Sequence, residues 1–460
     1  MEYTDHKYFG TDGFRGEANR ELTADHAYKV GRFLGWYFTR FKEKAERVRI
    51  VIGKDTRVSS YMLEYALASG VVSSGADAYM LHVSSTPSVS YVARKEDFDA
   101  GVMITASHNP FYDNGIKLVN QNGEKMDDAL ISLVEAYIDG NMRAIGVNGA
   151  DIPLAEREMV GRIIDHSAGR NRYIGYLISL ASHSYKHLKI GVDAANGAVW
   201  MSAAAVFGAL GAEVYTIGDE PNGININREC GATDMRALCK LVREKSLDLA
   251  FAFDGDADRC IAVDEHGDVV DGDGIIYILA KHLKGENKLD KNTVVTTIMS
   301  NGGLHTSLAR FGISTVETDV GDRFVYENMQ ANDYSLGGEH SGHIILRKYA
   351  TTGDGLLTAI ILTEVICESK KPLSRLLKGM EVYPRCTKNV TVRDKDKVLS
   401  DLGVKKCADE IIAALENSGR VVLRKSGTEP KIRIMVECRD TARCREYTDI
   451  LERAVIAANK

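Results

Sequence analysis

One supersecondary unit recurs three times along the chain, and that recurrence limits the possible folds more than any other feature. In the first copy a largely β-branched strand over 48–52 ends in Gly53-Lys54-Asp55-Thr56-Arg57. A helical segment follows over 60–74, then a strand over 78–83 ending in Ser85-Thr86-Pro87. A second helix leads into an apolar strand over 101–104. The second copy has strands over 188–193, 213–217 and 249–253, with Asn196-Gly197 as its first turn. The third has strands over 293–297 and 314–318, and a third strand running into Gly337-Gly338. The repeat is one of pattern, not of identity. Short apolar strands alternating with helical stretches predict α/β domains with largely parallel sheets.

Each copy places its most polar loop after its third strand. Ligands of open α/β sheets bind beyond the carboxyl ends of the strands. Three related domains therefore aim three loops at a shared cleft. An amphipathic helix is predicted over 129–138, with apolar residues at 130, 131, 134, 137 and 138 and with Asp127 or Asp128 as its cap. After about residue 380 the pattern changes. Short strands near 390–392, 421–423 and 432–436, a helix over 402–415 and a final helix predict a smaller α+β domain.

The length of 460 residues is that of several domains, at roughly 150 residues each. With 44% apolar and 27% charged residues, each can build its own core. A net charge of −6 speaks against a general affinity for nucleic acid or membrane surfaces. The N-terminus lacks the apolar core of a signal peptide, and no apolar run approaches the roughly 20 residues of a membrane span. All eight cysteines follow residue 229 and none forms a CxxC pair. The expectation is a cytoplasmic protein with reduced thiols and no zinc site.

The chemistry concentrates in a few loops. Thr105-Ala106-Ser107-His108-Asn109-Pro110 sets a hydroxyl beside an imidazole, directly after a strand. Ser107 can be a nucleophile or merely a strand terminator, and His108 can shift protons or orient phosphate or be an ordinary surface histidine. Lys117, just downstream, supplies a cation. Asp254-Gly255-Asp256-Ala257-Asp258-Arg259 sets three carboxylates at alternate positions with small residues between them. Crowded carboxylates repel, and a hard cation such as Mg²⁺ or Ca²⁺ relieves the repulsion. The loop resembles the start of an EF-hand, with Glu265 at the twelfth position. Arg259, however, stands where an EF-hand needs Gly, and a strand precedes the loop. A solvated acidic turn is the remaining alternative.

Glu339, Ser341 and His343 lie in a Gly-rich loop that can approach sugar hydroxyls or be a plain turn. Arg424-Lys425-Ser426-Gly427-Thr428-Glu429-Pro430-Lys431-Ile432-Arg433 can cradle a phosphate or be a charged hairpin. It is not a P-loop, since GxxxxGK[ST] is absent. Arg15, in the Gly-rich segment 9–16, can neutralise a phosphoryl group or make a structural ion pair. Such parts suit phosphoryl transfer, which depends on positioning and charge neutralisation.

Read in order, the segments TASHNP, DGDADR, GEHSGH and RKSGTEPKIR resemble the α-D-phosphohexomutase superfamily over essentially the whole chain. The resemblance implies three mixed α/β/α domains, 1–155, 156–265 and 266–382, with a phosphate-binding domain at 383–460, around a central cleft. It implies that Ser107 carries phosphate and that Asp254, Asp256 and Asp258 hold one Mg²⁺ together with it. Arg15, His108, Lys117 and Arg259 would surround the reacting phosphate. Glu339 and Ser341, with His343 nearby, would hold sugar hydroxyls. Arg424, Ser426, Gly427, Thr428 and Arg433 would hold the other phosphate.

Segments 7–16, 112–117 and 351–355 resemble the bacterial subgroup acting on glucosamine phosphates. That implies interconversion of glucosamine 6-phosphate and glucosamine 1-phosphate through a 1,6-bisphosphate, with glucose or glucosamine 1,6-bisphosphate as activator. Such a protein would feed amino-sugar and cell-wall precursor synthesis as a monomer or homodimer. His340 stands where the subgroup usually has Gln, and Ala257 where Gly is common. Glucose or mannose phosphate as the preferred substrate, a non-catalytic phosphosugar sensor and a phosphatase are the alternatives.

Overall fold

The computed structural model describes residues 6–42, 46–416, 419–425 and 430–459. The described residues form four sheets. The first three share one core of four strands in the same order. In the first sheet Asp77–Val83, Arg49–Lys54, Ala100–Ile104 and Asp113–Asn120 lie side by side. In the second the corresponding strands are Glu213–Ile217, Lys189–Asp193, Leu249–Phe253 and Cys260–Val263. In the third they are Ser314–Thr318, Thr293–Thr297, Leu336–Gly338 and Ile344–Leu346.

In every copy the third strand runs parallel to the first and antiparallel to the fourth. The sheets are therefore mixed, and the hairpin between the third and fourth strands is the chemically loaded loop each time. The triple pattern read from sequence is a repeated topology. The first sheet is extended on one side by Gly13–Glu17 and Phe9–Gly10, and on the other by Ile163–Asp165. The second gains Val269–Val270.

By packing, the chain divides into two compact units: residues up to Ile298 with Val316–Lys378, and Met299–Thr315 with the residues from Gly379 onward. The second unit holds the three-stranded sheet Arg385–Thr391, Lys431–Cys438, Gly419–Lys425, antiparallel throughout. The buried Glu437 carboxylate organises it. It accepts from Gly302 N–H at 2.7 Å, Asn301 Nδ2 at 3.0 Å and Arg385 at 2.7 Å, which joins helix Gly302–Ala309 to the C-terminal sheet.

Short polar caps set the helix starts that flank the loops. Asp127 accepts from Leu130 N–H at 2.9 Å to begin helix Asp128–Ile138, so the cap is Asp127 and not Asp128. Asp354 accepts from Leu357 N–H at 3.0 Å to begin Gly355–Ser369. Among the described residues no helix is long and apolar enough to cross a membrane.

Helices Ala24–Thr39 and Val58–Ser73 cross at a pair of glycines. A Cβ on Gly70 would stand 2.1 Å from the Tyr28 carbonyl oxygen, and one on Gly31 2.1 Å from that of Leu67. Alanine at a helix interior gains about 1 kcal/mol over glycine, but overpacking costs about 1–3 kcal/mol. With backbone as the obstacle, the clash wins. Gly70→Ala is expected to lower the thermal midpoint of the protein. An unchanged or raised midpoint would contradict this packing.

Candidate active site

Ser107 sits at the start of the first hairpin loop, fully buried, with φ of +52°. Its left-handed backbone is strained for a non-glycine residue, and three side chains hold it there. Arg57, itself fully buried, donates to the carbonyl oxygens of Ser107 at 2.8 Å and Asn109 at 2.9 Å, and also to that of Pro110. Asp55 orients that guanidinium through Nε at 2.8 Å and accepts from Thr105 Oγ1 at 2.7 Å. Asn227 Nδ2 donates to the Ser107 carbonyl at 2.8 Å from the second domain. The Ser107 hydroxyl then donates to Asp254 Oδ2 at 2.6 Å and lies 3.2 Å from His108 Nδ1.

Asp254, Asp256 and Asp258 lie in the equivalent hairpin loop of the second sheet, between strands Leu249–Phe253 and Cys260–Val263. The turn joins two strands, not two helices, so the loop is not an EF-hand. Glu265 is taken up by Ser374 N–H at 3.3 Å and by the Ser374 hydroxyl. All three aspartates are buried, and each offers a carboxylate oxygen within 4.8 Å of the others. Gly255 allows the two loops to meet: a Cβ there would stand 2.5 Å from the Ser107 carbonyl oxygen. Ala257 has φ of +56°. Glycine fits that conformation best, and alanine costs roughly 1–2 kcal/mol there.

The Lys117 ammonium reaches Asp256 at 2.8 Å, Asp258 at 3.1 Å and Asp12 at 3.2 Å. Arg259 Nε stands 3.9 Å from both Asp254 and Asp258. Arg15 pairs with Asp12 and approaches Asn109 Oδ1 at 3.4 Å. Thr86 donates its hydroxyl to Asp256 and its N–H, at 3.0 Å, to the Asp256 carbonyl.

Burial, then the neighbouring Asp258 and Asp256, push the Asp254 carboxyl well above its usual range. Burial alone would lower Lys117, but Asp12, Asp256 and Asp258 hold it well above the ordinary lysine value. Burial and then Arg259 and Arg15 push the His108 imidazole down to about 4, so it is neutral near pH 7.

These residues fit a divalent cation. Asp256 Oδ1 and Asp258 Oδ1 are buried without a hydrogen-bond partner among the described residues, the donors are hard oxygens, and Asp254 resists ionisation without a further positive charge. Buried orphan carboxylate oxygens are costly, and an ion bound among them removes that cost.

The third hairpin loop folds against the second sheet. Arg259 and His343 form an antiparallel bridge, and Cys260 N–H donates to Gly342 O at 3.0 Å. The Ser341 hydroxyl and His343 Nδ1 are buried without a partner among the described residues. Burial raises the Glu339 carboxyl, with His343 and Arg259 opposing. The chain thus brings Ser107, His108, Arg15, Lys117, the three aspartates, Arg259 and the loop of Glu339, Ser341 and His343 into one compact unit.

Arg424 and Arg433 belong to the second unit. They face each other as a cross-strand pair and line a cavity with Thr387 and Asn389. Like charges directly opposite destabilise a sheet unless an anion lies between them. Ser426, Gly427 and Thr428 fall outside the described residues.

Sequence reasoning passed over Asp55, Arg57, Asn227, Thr86 and Asp12. Asp55 and Arg57 end the first parallel strand and Thr86 follows the second, the places where an α/β sheet puts its functional groups.

Known families match the chain in series. Residues 6–144, 171–267, 271–383 and 388–454 match, in turn, phosphoglucomutase/phosphomannomutase alpha/beta/alpha domain I, domain II, domain III and the C-terminal domain. The phosphoglucosamine mutase of Lachnospira eligens is 54% identical over 443 residues, 96% of this chain and 97% of the relative. The crystal structure of a phosphoglucomutase/phosphomannomutase family protein from Burkholderia thailandensis superposes with a TM-score of 0.80 at 23% identity, covering 98% of this chain and 97% of that one. The N-acetylphosphoglucosamine mutase of Aspergillus fumigatus, solved in complex with GlcNAc-6P and magnesium, superposes at 0.67 and 17% identity, covering 98% and 96%. With four domain matches in family order and a full-length relative above half identity, this chain belongs to the phosphoglucomutase/phosphomannomutase family.

Proposed function

We propose that the protein is a phosphohexomutase interconverting glucosamine 6-phosphate and glucosamine 1-phosphate, with Ser107 carrying the transferred phosphoryl group. The observation that carries this reading is the Ser107 hydroxyl, buried and 2.6 Å from Asp254 in a cage of three carboxylates. A sensor that only binds sugar phosphates needs neither a nucleophile nor such a cage. The full-length likeness to the Lachnospira eligens phosphoglucosamine mutase supports the amino-sugar assignment.

The chain's own groups divide the work. Phospho-Ser107 gives its phosphoryl group to the free hydroxyl of the sugar phosphate: the P–Oγ bond breaks as the P–O bond to sugar forms, the sugar hydroxyl gives up its proton and Oγ takes one up. The product is a 1,6-bisphosphate. It turns over in the cleft and returns its other phosphate to Oγ. His108, neutral near pH 7, stands where it can take or return a proton at Oγ. Arg15, Lys117 and Arg259 neutralise the phosphoryl oxygens as they pass. Asp254, Asp256 and Asp258 would hold one Mg²⁺, which when bound supplies charge neutralisation at the phosphoserine. Glu339, Ser341 and His343 would grip sugar hydroxyls. The arginine pair Arg424 and Arg433, with Ser426, Gly427 and Thr428, would hold the phosphate that is not reacting.

The GlcNAc-6P and magnesium bound by the Aspergillus fumigatus protein support a phosphosugar substrate and that metal. Glucose or glucosamine 1,6-bisphosphate would prime Ser107. A cytoplasmic monomer or homodimer without nucleic-acid or membrane partners, supplying amino-sugar and cell-wall precursors, completes the reading.

Ser107→Ala is expected to abolish phosphate uptake from labelled glucose 1,6-bisphosphate and to cut mutase turnover by roughly a thousandfold or more. Turnover at the wild-type rate would remove Ser107 from the mechanism, and release of inorganic phosphate in place of isomer would make the protein a phosphatase. His340 replaces the subgroup's usual Gln and lies 3.3 Å from Asp271 and 3.4 Å from Asp273. Despite that change, kcat/KM should be highest on glucosamine phosphate when glucosamine, glucose and mannose phosphates are compared side by side. A preference for glucose or mannose phosphate would reassign the substrate within the family.

A further inference from the structure

A line of alternating charge runs from Asp322, beside the sugar loop, to the metal loop. His343 Nε2, which accepts from Gly353 N–H at 3.2 Å, lies 3.4 Å from Asp322 Oδ2. Asp322 Oδ1 lies 2.6 Å from Lys125 Nζ, and Lys125 Nζ lies 3.3 Å from Asp12 Oδ1. The same Asp12 oxygen lies 3.2 Å from Lys117 Nζ, which reaches Asp256 and Asp258. Lys125 also donates to the Thr11 carbonyl at 2.8 Å, which fixes its ammonium in place. Asp12, Lys117 and Lys125 come from the first domain, Asp256 and Asp258 from the second, and Asp322 and His343 from the third.

We propose that Asp12, Lys125 and Asp322 are positioning residues that hold Lys117 at the metal loop and His343 at the sugar loop in one arrangement. The inference rests on the mutase reading above and extends it to three residues given no role there.

The argument is one of shared ligands. Asp12 Oδ1 is divided between two ammonium groups at nearly equal distance. Without Lys125, that oxygen has Lys117 as its close ammonium and draws it away from Asp256 and Asp258. Asp12 and Asp322 would also face each other across the vacated position and repel. Without Asp322, His343 loses its carboxylate neighbour, and Lys125 shifts its weight onto Asp12. Either loss therefore moves the cation that must meet the phosphoryl oxygens. The links from Asp322 through Lys125 and Asp12 to Lys117 are charged: burial opposes it, yet Lys117, Lys125 and Arg15 hold Asp12 well below the usual carboxylate range, and Lys125 lowers Asp322 against the effect of burial. Interactions of this kind in a water-poor cleft are stronger than at the surface.

A plain structural tie between the first and third domains is the competing account, and the fold provides the control. Arg323 pairs with both Asp128 oxygens, and Tyr326 donates to Glu124 at 2.8 Å. These contacts bridge the same two domains through side chains that bond elsewhere, although Arg323 and Glu124 are the chain neighbours of Asp322 and Lys125.

The test uses the full chain and measures kcat, KM and the thermal midpoint of each variant. Misplacing a catalytic group by about 1 Å can cost a hundredfold. Lys125→Met and Asp322→Asn are each expected to lower kcat by about 10- to 100-fold with a smaller change in KM. Lys125→Arg is expected to recover most of the loss. The double variant should be no slower than the slower single one, because both break the same line. Arg323→Met should lower the thermal midpoint and leave kcat within about twofold of wild type. Should Lys125→Met fail to fold, the near-isosteric Asp322→Asn carries the test alone. Folded Lys125 and Asp322 variants with wild-type kcat, or losses that multiply in the double variant, would overturn the proposal and leave the mutase reading intact. A wild-type protein that takes up no phosphate on Ser107 would instead bring down the mutase reading, and this inference with it.

Discussion

Mutual repulsion among three buried carboxylates is the constraint around which the first compact unit is organised. Asp254, Asp256 and Asp258 are drawn together on a six-residue turn and shielded from water. Such a group is tolerable only beside compensating charge. The chain supplies part of it in Lys117 and Arg259. The orphaned oxygens on Asp256 and Asp258 and the raised Asp254 carboxyl mark what is still missing. Ser107 stands at that deficit. A phosphoryl group on its oxygen would add negative charge to the same place, so the seryl phosphate and the cation are linked by electrostatics as well as by position.

The backbone is built to bring the loops together. The hairpins after the third strands of three like-ordered sheets carry, in turn, the Ser107 hydroxyl, the three carboxylates and the loop of Glu339, Ser341 and His343. Gly255 lets the second approach the first to contact distance, and Arg57 pins the strained Ser107 backbone from behind. The bridge between Arg259 and His343 sets the third loop beside the second. A side chain held by several independent contacts keeps its place, and the proposed phosphoryl transfer would rely on that kind of preorganisation.

Much of this was legible in the sequence because the signals are local. Strand, helix and loop alternate over short windows, and the TASHNP and DGDADR loops carry their chemistry in adjacent residues. The pleat-level detail was harder. The antiparallel fourth strands escaped the reading of largely parallel sheets because Asp113–Asn120 contains Asp, two Asn and Lys, which hide its period. The supports of Ser107 lie far off in sequence: Arg57 is 50 residues away and Asn227 is 120. No window that reads neighbours can join them. Lys125 and Asp322 were invisible for the same reason, since they are 197 residues apart and meet only once the first and third domains are folded. Glu437 likewise reaches Gly302 across 135 residues, so the packing of segment 299–315 with the C-terminal sheet had no local sign.

The account's central claim is that the aspartate cage is incomplete without a divalent ion. Calorimetric titration of Mg²⁺ into the wild-type protein and into Asp256→Asn tests it without reference to turnover. The account predicts one ion per chain in the wild type and at least about a tenfold weaker affinity, a loss of roughly 1.4 kcal/mol or more, in the variant. No binding to the wild type, or equal binding by both, would contradict it.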